Sequence, residues 1–197
     1  MSDVSVDTSK RRFLVTMTSA VGGIAVVGTA VPFVTSMWPS ARAKAAGAPI
    51  EVDIGKVEPG MQLSVEWRGK PVWVVNRTAE MLKMLAGHDD RLTDPGSDVT
   101  SQQPEYCKNP TRSINPNFMI AVGICTHLGC SPTYRPELAP ADLGADWPGG
   151  WFCPCHGSRF DLAARVYNGS PAPTNLVVPP HKYLTETKVL IGDDKKA

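Results

Sequence analysis

Two short segments near the middle of this 197-residue chain bring cysteine and histidine together in matched pairs. The first reads Cys125-Thr-His127-Leu-Gly-Cys130, and the second reads Cys153-Pro-Cys155-His156-Gly-Ser158. Each supplies one Cys-plus-His pair, at Cys-x-His or Cys-x-x-His spacing, and one further cysteine. Thiolate and imidazole are both ligands that transition metals prefer. The two segments therefore predict a metal centre with mixed sulfur and nitrogen ligands.

The types and spacing of these ligands distinguish between the kinds of metal centre that could form here. A structural zinc site also uses two Cys and two His, but it usually draws them from Cys-x₂₋₄-Cys and His-x₃₋₅-His pairs. Here each segment mixes the two ligand types. Structural disulfides alone would not explain why a histidine accompanies each cysteine pair. A 2Fe–2S cluster with two histidines on one iron uses this combination.

These residues resemble the Rieske iron–sulfur proteins, and in particular the iron–sulfur subunits of bacterial ubiquinol–cytochrome c reductases, the cytochrome bc complexes. The resemblance implies one Rieske-type 2Fe–2S cluster, with Cys125 and Cys153 on the ferric iron and His127 and His156 on the redox-active iron. Two thiolates and two neutral imidazoles leave the oxidised site uncharged. Such a site accepts an electron more readily than an all-cysteine site, with potentials of roughly −150 to +300 mV against about −400 mV.

The resemblance also implies the catalytic role of the histidines, His127 and His156. A ligating imidazole keeps its second ring nitrogen free. Ferric iron withdraws charge and favours loss of the proton on that nitrogen, so reduction and proton uptake go together. In the family the second-loop histidine contacts the quinone. His156 is therefore the expected substrate contact, with Leu128 in the apolar cover beside it.

Other neighbours take roles from the same resemblance. Cys130 and Cys155 form a disulfide in the bc-complex relatives, and closing that 26-residue loop is worth roughly 3 kcal/mol on a chain-entropy estimate. Two free buried thiols are the alternative. Ser158 stands where a hydroxyl donates to a bridging sulfide. The run Gly169-Ser-Pro-Ala-Pro173 matches the proline-rich loop that shields the cluster.

One position departs from the family pattern. Many relatives carry a tyrosine two residues after that serine, and its hydroxyl donates a hydrogen bond to a ligand sulfur. Phe160 stands there in this chain. A missing donor of about 0.5–1.5 kcal/mol lowers the potential by roughly 20–65 mV for a one-electron couple.

The N-terminal segment predicts a membrane helix. No residue from Phe13 to Trp38 is charged, and these 26 residues extend about 39 Å as a helix, enough for a hydrocarbon layer of ~30 Å. Just before it, Ser9-Lys-Arg-Arg-Phe-Leu14 resembles a twin-arginine export signal. Lys10-Arg11 replaces the arginine pair if the Phe and Leu keep their usual register.

The family resemblance implies a single-pass protein of the inner (cytoplasmic) membrane, with a cytoplasmic N-terminus and a periplasmic head. A plain anchor with basic flanks is the alternative to an export signal. Ala-x-Ala triplets within residues 41–45 are typical of cleavage sites. Relatives in the bc complex keep the segment as a permanent anchor, so we expect it to be retained.

We therefore divide the chain into four parts. Residues 1–12 form a cytoplasmic N-terminus with the export-like signal, and residues 13–38 form a transmembrane anchor helix. The alanine-rich residues 39–49 form a flexible hinge. Residues 50–197 form the periplasmic Rieske domain, in which a small cluster-binding subdomain covers about residues 118–173.

Alternating apolar residues and Gly/Pro turns predict a mainly β fold for the head, an antiparallel β-sandwich-like domain. The strands expected are 50–54, 63–67, 72–75, 118–124, 151–152 and a single closing strand over 183–191, with a short helix capped by Thr78. Residues 87–117 are polar and proline-containing, which predicts a long loop. Cys107 in that loop is expected to be a bystander, and His88 and His181 are expected to be solvated.

The resemblance implies the function. The head accepts an electron and a proton from ubiquinol at the cytochrome b subunit and passes the electron to the c-type cytochrome subunit, coupled to proton translocation in a dimeric complex. Two alternatives are a membrane-anchored Rieske subunit of another periplasmic oxidoreductase and a Rieske electron carrier for an oxygenase. A net charge of only +1 and the lack of a basic face exclude nucleic acid as a partner.

Overall fold

The computed structural model describes residues 7–194, which divide into two compact units between Ala45 and Ala46. The first unit contains helices α1 (Thr8–Ser36) and α2 (Ala41–Ala46), the latter reaching the boundary. Asp7 caps α1, because its carboxylate accepts hydrogen bonds from the backbone N–H groups of Ser9 and Lys10. Residues 1–6 of the predicted cytoplasmic N-terminus lie outside the described residues.

The apolar segment forms the long helix that the sequence predicts. None of the side chains of α1 is buried within the protein, and Pro32 lies inside the helix. The helical segment Thr8–Ala45 is long and apolar enough to cross a membrane, by length and composition. A signal sequence passes the same test.

The second unit is the β head, and its mainly antiparallel β architecture is confirmed. Three antiparallel sheets of three strands each make up the described head. The first, in the order β1-β9-β8, contains β1 (Ile50–Asp53), β8 (His181–Thr185) and β9 (Lys188–Ile191). The second contains β2 (Gln62–Trp67), β3 (Lys70–Asn76) and β4 (Phe118–Val122) in chain order. The third contains β5 (Thr133–Arg135), β6 (Gly150–Phe152) and β7 (Arg159–Phe160).

The middle sheet is buried on both faces. Along β3, Val72 and Val74 join the core shared with β1 and β9, whereas Trp73 and Val75 join the core shared with the third sheet. Successive side chains of a strand point to opposite faces, so a continuous apolar run fills both cores. The Trp73 ring stacks on Trp151 of β6, with ring centroids 5.7 Å apart. This stack links the middle sheet to the third sheet, which carries the second cysteine–histidine segment.

The connections also follow the sequence closely. The β2–β3 turn has Arg68 and Gly69 at positive φ, as a two-residue hairpin turn requires. Thr78 caps α3 (Ala79–Met84), since its hydroxyl accepts from the Met81 N–H. Residues 87–117 form the predicted long loop, with three single-turn 3₁₀ helices at Asp89–Arg91, Thr100–Gln102 and Glu105–Cys107.

Two predictions for the head are wrong. The segment from Tyr183 to Ile191 is not one strand but the hairpin of β8 and β9, which pairs Thr185 with Lys188. A two-residue turn keeps the same in–out alternation on both sides, so periodicity alone does not reveal it. His88 and His181 are buried rather than solvated, with 8% and 2% of their surfaces exposed. His88 stacks on an aromatic ring, Tyr167, and His181 contacts the Pro179 carbonyl oxygen through Nδ1 at 2.9 Å.

Three buried arginines hold the turn that follows β7, residues 161–165. Arg77 donates to the Leu162 carbonyl oxygen, and Arg112 donates to the carbonyl oxygens of Ala163 and Ala164. Arg165 pairs with the buried Asp161 at 2.8 Å. Burial would raise the pKa of Asp161, but the nearby His88 ring and the Arg165 charge outweigh it and lower that pKa. The turn is therefore fixed by charge-assisted hydrogen bonds.

Arg112 is the most buried of the three arginines, with 0% of its surface exposed. It also donates to the Leu176 carbonyl oxygen at 2.9 Å and to Gln103 Oε1 at 2.9 Å. Burial lowers the pKa of Arg112 to about 10, so the guanidinium stays charged at neutral pH. Arg112 thereby ties the turn after β7 to the chain that follows the proline-rich run.

We expect Arg112→Met to destabilise the head by about 3 kcal/mol or more, because it leaves several buried carbonyl oxygens without a donor. For a unit of about 150 residues this lowers Tm by roughly 6–12 °C. Thermal unfolding of the full chain in detergent, followed by circular dichroism, measures the shift. Lys56→Met is the control, since Lys56 is exposed and should change Tm little. Equal shifts in both variants would contradict the structural role of Arg112.

Candidate metal centre

The two cysteine–histidine segments form loops of the same construction. In loop 1, which follows β4, the Cys125 N–H donates to the Cys130 carbonyl oxygen at 2.7 Å, and the Gly129 N–H donates to the Cys125 carbonyl oxygen at 3.0 Å. Gly129 has φ of 84°, a conformation that glycine adopts without strain. The glycine turn brings the two ends of the loop together.

Loop 2, which follows β6, repeats these contacts residue for residue. The Cys153 N–H donates to the Ser158 carbonyl oxygen at 2.8 Å, and the Gly157 N–H donates to the Cys153 carbonyl oxygen at 2.9 Å. Gly157 has φ of 80°. The histidine is the second residue after the first cysteine in loop 1 and the third in loop 2, and the further cysteine is the fifth residue in loop 1 and the second in loop 2. Two matched loops therefore present one cysteine and one histidine each.

The structure brings the predicted ligands together in two pairs, the two thiols and the two imidazoles. Cys125 and Cys153 are 2% and 1% exposed, and burial, together with the neighbouring Cys125 thiol, raises the pKa of Cys153. The rings of His127 and His156 meet edge to face, with centroids 4.7 Å apart. His127 Nδ1 is buried and has no hydrogen-bond partner in the described part of the chain. A buried nitrogen without a partner fits a metal ligand.

A different group of three sulfurs also lies close together, but it does not make a metal site. The Sγ atoms of Cys130, Cys153 and Cys155 are within 4.8 Å of one another. Cys130 and Cys155 form a disulfide, with Cα atoms 6.7 Å apart. Their sulfurs are therefore not thiolates and cannot replace Cys125 or the histidines as ligands. The disulfide joins loop 1 to loop 2.

The proline-rich segment, residues 169–174, is the third side of the centre and contacts both loops. Thr126 Oγ1 in loop 1 donates to the Thr174 carbonyl oxygen at 2.7 Å. The Ala172 N–H donates to Ser158 Oγ in loop 2 at 3.1 Å. Ser158 is fully buried, and because this contact uses its oxygen as an acceptor, the hydroxyl proton remains free to donate.

The tip of the centre is open to solvent. Leu128 is 71% exposed and His156 is exposed, whereas both predicted cysteine ligands are buried. The imidazole edge therefore faces outward, and the thiol side faces the core. Cys107 is a buried free thiol in the long polar loop and is not among the residues that the two loops bring together.

Two residues at this site were missed by the sequence analysis. Thr126 and Thr174 join loop 1 to the proline-rich segment, although neither can bind iron well. Thr126 could have been singled out from the sequence by its position between the two proposed ligands Cys125 and His127, because the loop that orients those ligands also orients the Thr126 side chain. Thr174 contributes only its backbone carbonyl oxygen, so its side-chain type carried no signal.

Comparison with known proteins agrees with this geometry. The family model for the Rieske 2Fe-2S domain matches residues 99–181, which contain both loops and the proline-rich segment. The family model described as "Ubiquitinol-cytochrome C reductase Fe-S subunit TAT signal" matches residues 1–40. The head is therefore a Rieske domain and carries a Rieske-type 2Fe–2S cluster. The second match gives the N-terminal helix a twin-arginine signal, which fits a membrane-anchored subunit.

Curated relatives identify the family more closely. The ubiquinol-cytochrome c reductase iron-sulfur subunit of Allochromatium vinosum is 63% identical, over 99% of this chain and 94% of the relative. That of Blastochloris viridis is 41% identical, over 97% of each. The chain belongs to the family of ubiquinol–cytochrome c reductase iron–sulfur subunits. A chain of a solved structure described as "Hyperthermophilic respiratory Complex III" is 26% identical with a TM-score of 0.47, over 87% of this chain and 95% of that one.

Phe160 gives a prediction at this site. Its side chain is fully buried in the same apolar cluster as Cys125 and Cys153. We expect Phe160→Tyr to raise the midpoint potential by roughly 20–65 mV, because a phenol donor beside a ligand sulfur stabilises the reduced, more negative state.

Redox titration of the full chain, followed by circular dichroism in the visible range, measures this potential. Phe152→Tyr in β6 is the control, because it adds a hydroxyl to the same sheet at a partly buried ring outside that cluster. No upward shift in Phe160→Tyr would show that another group already donates to that sulfur.

Proposed function

We propose that this chain is the iron–sulfur subunit of a respiratory ubiquinol–cytochrome c reductase. It accepts an electron and a proton from ubiquinol and passes the electron to a c-type cytochrome subunit, which contributes to proton translocation. The observation that carries the proposal is the solvent-facing histidine edge of the centre, in a chain 63% identical to a protein of that name. The reductase activity belongs to the assembled complex, of which this chain is one component.

Cys125, Cys153, His127 and His156 are the proposed ligands. Cys125 and Cys153 would hold one iron on the buried side, and His127 and His156 would hold the other on the exposed side. When bound, the cluster supplies one-electron redox chemistry at a high potential for an iron–sulfur centre. The free hydroxyl proton of Ser158 is the proposed hydrogen-bond donor toward a bridging sulfide.

His156 and Leu128 form the proposed quinol contact. His156 is exposed, so its ring nitrogen that does not bind metal can accept a hydrogen bond and then the proton from a quinol hydroxyl. Leu128 is 71% exposed beside the histidine pair, where an apolar side chain can cover the quinol ring and exclude water. The buried thiol side keeps solvent away from the sulfur ligands.

The membrane arrangement is also part of the proposal. Residues 1–12 lie in the cytoplasm and residues 13–38 remain as the inner-membrane anchor. Residues 39–49 act as the hinge, and residues 50–197 form the periplasmic head, with the cluster-binding subdomain at about 118–173. The proposed partners are the cytochrome b and c-type cytochrome subunits of a dimeric complex. The names of the curated relatives favour this assignment over the two alternatives, another periplasmic oxidoreductase or an oxygenase.

Purification through an affinity tag on this chain tests the assignment. We expect cytochromes b and c to co-purify and the preparation to oxidise ubiquinol with sensitivity to quinol-site inhibitors. Electron paramagnetic resonance of the reduced preparation should show mixed nitrogen and sulfur ligation, lost in His127→Ala. Co-purification of a molybdenum enzyme, or an unchanged signal in His127→Ala, would contradict the assignment.

Leu128→Ala tests the quinol contact separately. We expect ubiquinol oxidation by the complex to fall about tenfold, because the side chain covers the substrate, while cluster content and potential stay unchanged. Steady-state kinetics, with iron quantified, measure the effect. Leu138→Ala is the matched control, since Leu138 is also exposed, at 57%, but lies in the insertion between the loops. Equal activity in the two variants would remove Leu128 from the contact.

A further inference from the structure

A cavity of about 290 Å³ lies next to loop 2 and is separate from the histidine pair. Its lining includes residues from four stretches of the chain, namely Arg91, Asp146, Trp147, Arg159, Tyr167 and Asn168. Arg159 directly follows Ser158 of loop 2, and Asn168 directly precedes the proline-rich segment. We call this the arginine cavity. None of its lining residues is a proposed ligand or part of the disulfide.

The walls of the arginine cavity are tied together by backbone contacts. The Tyr167 N–H donates to the Arg159 carbonyl oxygen at 3.1 Å, and the Asn168 N–H donates to the Arg91 carbonyl oxygen at 2.8 Å. Leu92 and Tyr167 form an antiparallel β-bridge. A cavity whose walls are already fixed loses little conformational entropy when a ligand binds.

Two positive charges face this cavity without a carboxylate bound to them. Within residues 7–194, neither the Arg91 nor the Arg159 guanidinium makes an ion pair, whereas Arg135 binds two carboxylates. Asp146 is the one carboxylate among the lining residues, so the lining carries a net charge of +1.

The same cavity has aromatic walls. Trp147 and Tyr167 are 3% and 7% exposed, with ring centroids 6.3 Å apart, and the Arg91 guanidinium lies over the Tyr167 ring at 5.9 Å. The Trp147 indole N–H is already used, because it donates to the Arg135 carbonyl oxygen. The Tyr167 hydroxyl is buried and has no hydrogen-bond partner among the described residues.

We propose that the arginine cavity is a binding site for a small aromatic carboxylate. Two guanidinium groups hold the carboxylate by charge-assisted hydrogen bonds, for which arginine has the matching planar geometry. The ring contacts the exposed edges of Trp147 and Tyr167, since edge contacts between aromatic rings are favourable. The volume of about 290 Å³ suits a single-ring acid rather than a larger ligand.

Titration of benzoate into the full chain in detergent, at low ionic strength, tests the site by calorimetry. We expect saturable binding at one site per chain. Benzamide has the same shape without the charge and should bind at least about tenfold more weakly. The reason is that hydrogen bonds to a charged group contribute more than hydrogen bonds between neutral groups. Arg91→Gln and Arg159→Gln should each weaken benzoate binding by about tenfold.

The control variant is Lys70→Gln, which removes an exposed positive charge outside the cavity lining and should leave benzoate binding unchanged. Absence of saturable binding, or equal binding of benzamide, would overturn the proposal. So would an equal loss in Lys70→Gln, which would indicate attraction by net charge alone. Inorganic phosphate binding as tightly as benzoate would overturn the aromatic part of the specificity. These readouts do not involve quinol oxidation, so they are independent of the proposed function.

Discussion

The closure of two short loops onto each other is the constraint on which the rest of this head depends. A cysteine and a histidine from each loop must meet at one place, and neither loop is long enough to fix its partner. The Cys130–Cys155 disulfide supplies the covalent link, and the proline-rich segment contacts both loops through Thr126 and Ser158. Beneath them, the stacked pair of Trp73 and Trp151 joins the middle sheet to the third sheet. The packed sheets restrict the two loops, and the loops restrict the two histidines. Packing of the protein therefore helps to position the imidazole pair.

Buried charge has a second structural role in the head. Arg77 and Arg112 donate to carbonyl oxygens of the turn after β7, and Arg165 donates to the Asp161 carboxylate of the same turn. Irregular backbone can be buried only if its polar groups find donors, and here arginine provides several from one side chain. The polar loop 87–117 therefore does not lie on the surface throughout. It delivers Arg112 to the interior and so stabilises the segment on which loop 2 ends.

The two loops were easier to recognise from the sequence than the fold around them, for a physical reason. Ligand identity and spacing are local, so the two loops could be recognised from a few residues each. The continuous apolar run of β3 likewise predicted a strand, and only its burial on both faces needed the structure. Non-local contacts carried no such signal. The burial of His88 depends on Tyr167 and Asp161, far along the chain, and the β8–β9 turn preserves the alternation on either side. The burial of Arg112 could not be predicted for the same reason, since the sequence of a polar loop does not distinguish a buried arginine from an exposed one.

The asymmetry of exposure across the centre explains how one small site can exchange both protons and electrons selectively. Cys125 and Cys153 are almost fully buried, so the sulfur side is kept in a medium of low polarity. A low-polarity surrounding disfavours added charge, and two neutral imidazoles reduce that cost compared with two more thiolates. In the proposed function, the exposed edge of His156 is then the place where a compensating proton enters from a bound donor. Because this edge and the charge-sensitive core belong to the same four side chains, transfer of the electron favours transfer of the proton.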